Sequence, residues 1–222
     1  MTDSAVTKPS KAEEPYLKGK NTRYLWTFIS VNIAVFLCLL VSKALTESSL
    51  DHFWHRVTMK DGIVIASVPI LALVLSGILG QVGKARLVFW RWTNPLPGCR
   101  VFSQLLQTDP RIDVPALRSK LGEFPTEPHA QNALWFKLYR RHSTAPRSLR
   151  AQSDHLLTRD MATAAAVFSV LLSTTVLLGS VSHKVAGIYA FALLLQYFMC
   201  ANAARNYGNR FVLNVLSEDL QA

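Results

Sequence analysis

Apolar residues run almost unbroken through four stretches of the chain: Tyr24 to Leu45, Gly62 to Val82, Met161 to Val181 and Val185 to Ala201. About twenty such residues suffice for a helix to cross roughly 30 Å of hydrocarbon. The pattern therefore predicts membrane spans at 24–45, 62–82, 161–181 and 185–201. Ser182, His183 and Lys184 separate the last two, so those two form an antiparallel hairpin. The second apolar helix is expected to continue through Leu87, Val88 and Phe89 to Trp92, where Asn94 and Pro95 stop it. The alternative arrangement is two spans and a buried hairpin.

Between the hairpins the pattern changes. Asn94-Pro95-Leu96-Pro97-Gly98 reads as a rigid exit from the apolar run. Asp113 as N-cap, Pro115 in the first turn and Gly122 as stop bracket a short helix with Val114, Leu117 and Leu121 on one face. A second helix is expected from near Thr126, with Leu134, Trp135, Leu138 and Tyr139 on its apolar side. Ser148 is placed as the cap of a third helix that runs on into the third span. The fold expected is all-α: a membrane four-helix bundle of two hairpins with a small helical cytoplasmic insertion.

Charge adds orientation. The 222 residues hold 24 Lys and Arg against 14 Asp and Glu, a net charge of +10, while half of all residues are hydrophobic. Lys8, Lys11, Lys18, Lys20 and Arg23 precede the first span, and thirteen Lys or Arg lie from Lys84 to Arg159. Positive flanks stay inside. The chain then divides into a cytoplasmic tail (1–23), a first span, an external loop (46–61), a second span, a basic cytoplasmic domain (83–160), the hairpin and a cytoplasmic tail (202–222). Both termini face the cytoplasm. The first twenty residues are polar and no cleavage site follows the first apolar run, so that run is expected to be a retained anchor.

Within the spans, Ser76 and Gly80, Ser169 and Ser173, and Thr175 and Gly179 recur at four-residue spacing, which lets helices approach closely in a bundle or between subunits. Pro69 is a candidate kink in the second span. Asn32 and Gln196 lie roughly 12 Å and 9 Å from the cytoplasmic ends of their spans, counting about 1.5 Å per residue, so they could hydrogen-bond with each other, with a pore-lining or substrate role as the alternative.

Candidate chemistry concentrates in the insertion. Arg100, Arg111, Arg140, Arg141, Arg147 and Arg150, together with Trp135 and Tyr139, could bind a phosphate-bearing ligand or a partner, or simply face anionic headgroups. Arg159 and Asp160 at the mouth of the third span are placed to form a structural clamp with Lys84 or Arg86. Cys38, Cys99 and Cys200 are too far apart to suggest a disulfide framework or zinc site. His52 and His55 flank Phe53 and Trp54 in a segment better read as an interfacial loop than as a metal site. His129, His142 and His155 of the insertion could pair with Asp109, Asp113 or Asp154 for proton transfer, but no phosphate-binding glycine loop, zinc-protease helix or nucleophile elbow accompanies them. No enzymatic activity, cofactor or metal is expected.

Asn94-Pro95-Leu96-Pro97-Gly98, Arg100, Phe102, Asp109-Pro110-Arg111-Ile112-Asp113, Trp135, Tyr139 and Arg159-Asp160 form a pattern that resembles uncharacterised bacterial four-span membrane proteins. In architecture the chain is also similar to small membrane components of bacterial antiphage systems. That resemblance implies a homo-oligomer in the inner membrane whose cytoplasmic domain receives a nucleotide-like signal or a cytosolic protein and whose spans alter membrane integrity. A membrane scaffold for a cytosolic partner is the second expectation and a small transporter the third. Membrane lipids are partners in every case.

Overall fold

The computed structural model describes residues 13–47, 70, 74, 77–178 and 182–222, with side chains of the first helix described from Asn21 to Leu39. These residues are helices and turns, with no strand among them. Three helices dominate: α1 (Glu13–Glu47), α5 (Pro146–Leu178) and α6 (His183–Gln221). At about 1.5 Å per residue each is roughly 50 to 60 Å long, well beyond a hydrocarbon core of about 30 Å. Each also contains a window long and apolar enough to cross a membrane, consistent with a multi-pass membrane protein. Of the expected second span (62–82) only residues 70, 74 and 77–82 are described. Pro69, Ser76, Gly179, His52, His55 and most of the expected external loop lie outside the described residues.

The long helices present much apolar surface outward: Val170, Leu178, Ile188, Phe191 and Met199 are all exposed. A surface of that kind in water would drive association. Against acyl chains it costs nothing. Inward, α1 lies along α5 in the same direction. Asn21 Nδ2 donates to Ser153 O at 2.8 Å and to Ser153 Oγ at 2.7 Å. Further along, Ile29 and Phe36 pack with Phe168, Leu172 and Val176 of α5 and with Tyr189 and Leu193 of α6.

α5 is the expected fusion of the third insertion helix with the third span. It starts at Pro146, which is tolerated in a first turn. Ser148 is therefore inside the helix, and it is buried rather than a cap.

α6 departs most from expectation. The segment 202–222, expected as a tail, continues the fourth apolar helix to Gln221. Ala201, Ala204, Gly208, Phe211, Val212, Val215, Leu216 and Asp219 form a buried stripe at helical spacing, with no proline to interrupt it. The stripe closes the core of the insertion: Phe211, Val212, Leu213, Val215 and Leu216 pack against Val101, Phe102, Leu117, Trp135 and Leu138.

The insertion itself begins with α2 (Gln81–Phe89). This helix does not continue the preceding apolar helix as expected: a bend at Leu79 and the extended Gly80 (ψ 172°) separate it from residues 77–78. It ends three residues before the expected Trp92, because Trp90 turns into the left-handed region at φ 52°. Turns from Pro97 to Thr108 lead to α3 (Val114–Leu121) and α4 (Pro128–Arg141). The α3 signals act as expected: Asp113 Oδ1 accepts from Ala116 N at 3.1 Å, and Gly122 stops the helix at φ 80°. For α4 the cap is Glu127, whose carboxylate accepts from His129 N at 2.9 Å and Ala130 N at 2.6 Å. Those two bonds hold the Glu127 carboxyl below its ordinary pKa.

Buried Gln131 is the internal tie of the insertion. Its Oε1 accepts from Phe102 N, Ser103 N and Ser103 Oγ, each at 3.2 Å, while Nε2 donates to Thr126 O at 3.0 Å. At Gly98 the backbone lies directly on α4, where an added Cβ would meet Asn132 and Trp135. The glycine ending the Pro-Leu-Pro-Gly run is thus a packing requirement.

Gly208 marks a close helix approach. A Cβ there would stand 2.9 Å from His155 Cε1 and Nδ1 and 2.9 Å from Phe89 Cζ. Gly208→Val is expected to force α2, α5 and α6 apart and destabilise the protein by about 1–3 kcal/mol. Thermal unfolding of the purified full chain checks it, and a Tm equal to that of the wild type would show that the contact is not close.

Candidate functional site

The polar groups proposed from sequence fall into four settings. The clamp is present: Lys84 Nζ lies 3.0 Å from Asp160 Oδ1 and Arg159 Nη2 lies 3.0 Å from the same oxygen. Arg159 Nη1 also donates to Gln81 Oε1 at 2.5 Å, so α2 and α5 are joined on both sides of one carboxylate. Arg86 is not part of it; its Nε donates to Trp92 O at 3.1 Å and ties down the exit of α2.

Trp135 and Tyr139 belong to the core of the insertion and not to a ligand-binding surface. Trp135 is 8% exposed, stacks on Tyr139 and meets Phe211 edge-on, and its Nε1 donates to Val212 O at 3.2 Å. Tyr139 OH donates to Gln152 Oε1 at 3.1 Å. Their apolar spacing on α4 is the same whether the face meets a ligand or another helix; the stripe on α6 decides between them. Arg111 is likewise committed: it pairs with Asp109 at 2.6 Å and reaches Asn214 Oδ1 of α6 at 3.0 Å. Hydrogen bonding from Arg111 holds the Asp109 carboxyl below the usual carboxylate range.

Asn32 and Gln196 do not bond to each other. Asn32 Nδ2 donates to Phe28 O of its own helix at 2.8 Å, and Gln196 Oε1 is buried without a hydrogen-bond partner among the described residues. A local i−4 carbonyl satisfies Asn32 without a second helix.

Arg140, Arg141, Arg147 and Arg150 are exposed on the outer surface of the insertion. Arg100 is not with them. Its guanidinium sits 4.8 Å from the centre of the Phe89 ring, with Nη1 buried and unpartnered among the described residues. Burial first, then repulsion from Arg91 and Arg205, lowers its pKa.

Arg100 thus leads to a group the sequence did not single out: Arg91, Arg205, Trp90 and Tyr197. The Arg205 guanidinium stacks over Trp90 at 3.4 Å from the ring centre, and its Nε donates to Val88 O at 2.5 Å. Trp90 Nε1 donates to Tyr197 OH at 3.0 Å, and Tyr197 OH donates to Leu87 O at 2.8 Å. Trp90 also meets Phe198 edge-on. A non-glycine residue in the left-handed region costs about 1–2 kcal/mol, and these contacts hold Trp90 there. The available sequence signals were Trp90-Arg91-Trp92 at the exit of an apolar run and Arg205 just beyond the last one.

The group lies about one hydrocarbon thickness along the long helices from their other apolar ends. Arg205 is twenty-two residues along α6 from His183, roughly 33 Å, and Asp160 is eighteen residues along α5 from Leu178, roughly 27 Å. Both distances match one hydrocarbon thickness, and Trp and Tyr concentrate at that depth. Beside the cluster a cleft of about 740 Å³ opens between α2, α5 and α6, lined by Arg86, Trp90, Arg91, Trp92, Val170 and Tyr197 among others. Chemically the arrangement offers guanidinium groups, indole rings and an apolar wall, which suit an anion with an apolar part. Among the described residues no three His, Cys, Asp or Glu side chains converge to hold a metal.

No family model, curated protein or solved structure matches this chain.

Proposed function

We propose that the chain is a homo-oligomeric effector or sensor of the bacterial inner membrane, crossing it four times with both termini and the basic insertion in the cytoplasm. The insertion receives an anionic, nucleotide-like signal or a cytosolic protein, and the spans respond by altering membrane integrity. The observation that carries this reading is the continuity of α5 and α6. Each is one uninterrupted helix with its apolar window at one end and its other end in the core or wall of the insertion. A displacement of the insertion therefore reaches the bilayer through two stiff rods, without a flexible joint to absorb it. The similarity in architecture to membrane components of antiphage systems supplies the setting.

The second reading, a scaffold for a cytosolic protein, is favoured by Arg140, Arg141 and Arg147, which project outward as a basic face suited to an acidic partner. One experiment separates the two. Induced expression in bacteria is expected to depolarise the membrane, as read by a potential-sensitive dye. The double substitution Arg140→Glu and Arg141→Glu should abolish depolarisation at an equal membrane-inserted level. A wild-type chain that leaves potential and permeability intact sinks the effector reading. The scaffold reading then requires an acidic protein that co-purifies with the wild type and not with the double variant.

A further inference from the structure

The cleft between α2, α5 and α6 and the arginines around it lie side by side at the same membrane depth, and neither is used by the coupling just described. The cleft is mostly apolar, with Val170 and its neighbours on one wall and the indoles of Trp90 and Trp92 on the other. Its volume of about 740 Å³ falls within the range of ligand pockets, about 300–1,000 Å³. At its polar edge stand Arg86 and Arg91. Arg91 is exposed, and no hydrogen bond or ion pair engages its guanidinium among the described residues. Nearby, Arg205 stacks on the Trp90 ring and Arg100 on the Phe89 ring. Each has one buried guanidinium nitrogen without a partner, and no carboxylate pairs with either among the described residues.

Positive charge without a counter-charge, held beside low-dielectric walls, focuses an anion-attracting field on the cleft mouth. The nearest carboxylate on α5, Asp160, is already shared by Lys84 and Arg159. Guanidinium groups bind phosphate oxygens bidentately, and the rings flanking Arg91 suit a headgroup region. The apolar cleft continues from that point toward Val170 and Ala166, into the depth of the hydrocarbon. We propose that this cleft binds one anionic phospholipid, its phosphate on Arg86 and Arg91 and an acyl chain along Val170. Arg205 on Trp90 and Arg100 on Phe89 reinforce the positive field of the site. The lipid bridges α2 to the α5–α6 hairpin where the insertion meets the bilayer. The inference rests on the membrane reading of the helices and is independent of any effector activity.

Native mass spectrometry of the purified full chain in detergent tests it by counting bound lipid. The probes are phosphatidylglycerol, phosphatidylcholine and inorganic phosphate. One phosphatidylglycerol is expected to bind about tenfold more tightly than phosphatidylcholine, given the contribution of each basic residue to anionic-lipid attraction. Arg91→Gln should remove most of that preference. Val170→Trp, which fills the cleft, should weaken both lipids. Arg147→Gln, on the outer surface, should change neither. If Val170→Trp fails to fold, the loss of preference in Arg91→Gln decides. Equal binding of the two lipids overturns the proposal, as does a preference that survives Arg91→Gln. Inorganic phosphate that displaces phosphatidylglycerol completely would mark a free-anion site and overturn the lipid assignment.

Discussion

A chain that ends at Arg205 is expected to reach the membrane and to lose the folded insertion. The reason is the share of the core that residues 206–222 supply. Phe211, Val212, Leu213, Val215 and Leu216 are five of the fourteen buried residues in the insertion's main cluster. Burying a large apolar side chain contributes about 1.5–3 kcal/mol. Five of them together approach the entire stability of an ordinary domain, about 5–15 kcal/mol. The same segment carries three polar ties. Val212 O accepts from Trp135, Asn214 accepts from Arg111, and the buried Asp219 carboxylate receives His142 Nε2 at 2.9 Å with Lys120 Nζ at 3.6 Å. Limited proteolysis gives the measurement. In the full chain residues 97–141 should resist cleavage, whereas the shortened chain should be cut within them at protease levels at least tenfold lower. Equal resistance would mean that 206–222 is a dispensable tail after all.

The second large effect is at Trp135. Replacing a buried tryptophan by alanine typically costs about 3–5 kcal/mol, and here it removes the stack on Tyr139, the edge contact with Phe211 and the bond to Val212 O together. Trp135→Phe keeps a ring in the same space and loses chiefly the hydrogen bond, for about 1 kcal/mol. Chemical denaturation of the purified chain, followed by the remaining tryptophans, should order the three proteins as wild type, Trp135→Phe and Trp135→Ala. Should Trp135→Ala unfold like the wild type and instead lose binding to an anionic partner, the residue would belong to a surface site.

The order in which these features became visible has a physical logic. Hydropathy alone located the helices of α1, α5 and α6 that can enter a membrane, since the cost of exposing backbone and charge to hydrocarbon is large and local. The start and stop of α3 were equally legible, because Asp113, Pro115 and Gly122 act on their own backbone within a few residues. The Lys84–Asp160 clamp followed from two charges at the mouths of adjacent apolar runs.

Other assignments depended on distant neighbours. Trp135 and Tyr139 have the residue types of a binding face and of a core, and only the α6 stripe more than seventy residues later assigns them to the core. Asn32 and Gln196 were placed at similar depths, yet depth does not set the rotation of a helix about its axis, and Asn32 is satisfied by Phe28 O. Segment 202–222 was concealed by composition: Arg205, Asn206, Asn209 and Arg210 lower its hydropathy while Gly208, Phe211, Val212, Val215 and Leu216 keep its helical period.

By itself, then, the sequence determined an all-helical chain with long apolar helices, a basic insertion and the local punctuation of its short helices. Each of these depends on interactions within a few residues or on transfer from water. The tertiary structure alone decided that α6 runs beyond its apolar part to close the insertion's core, and that Arg91, Arg100 and Arg205 gather around Trp90. Those outcomes depend on which helix faces meet, and residues from Phe89 to Arg205 come together only after the chain has packed.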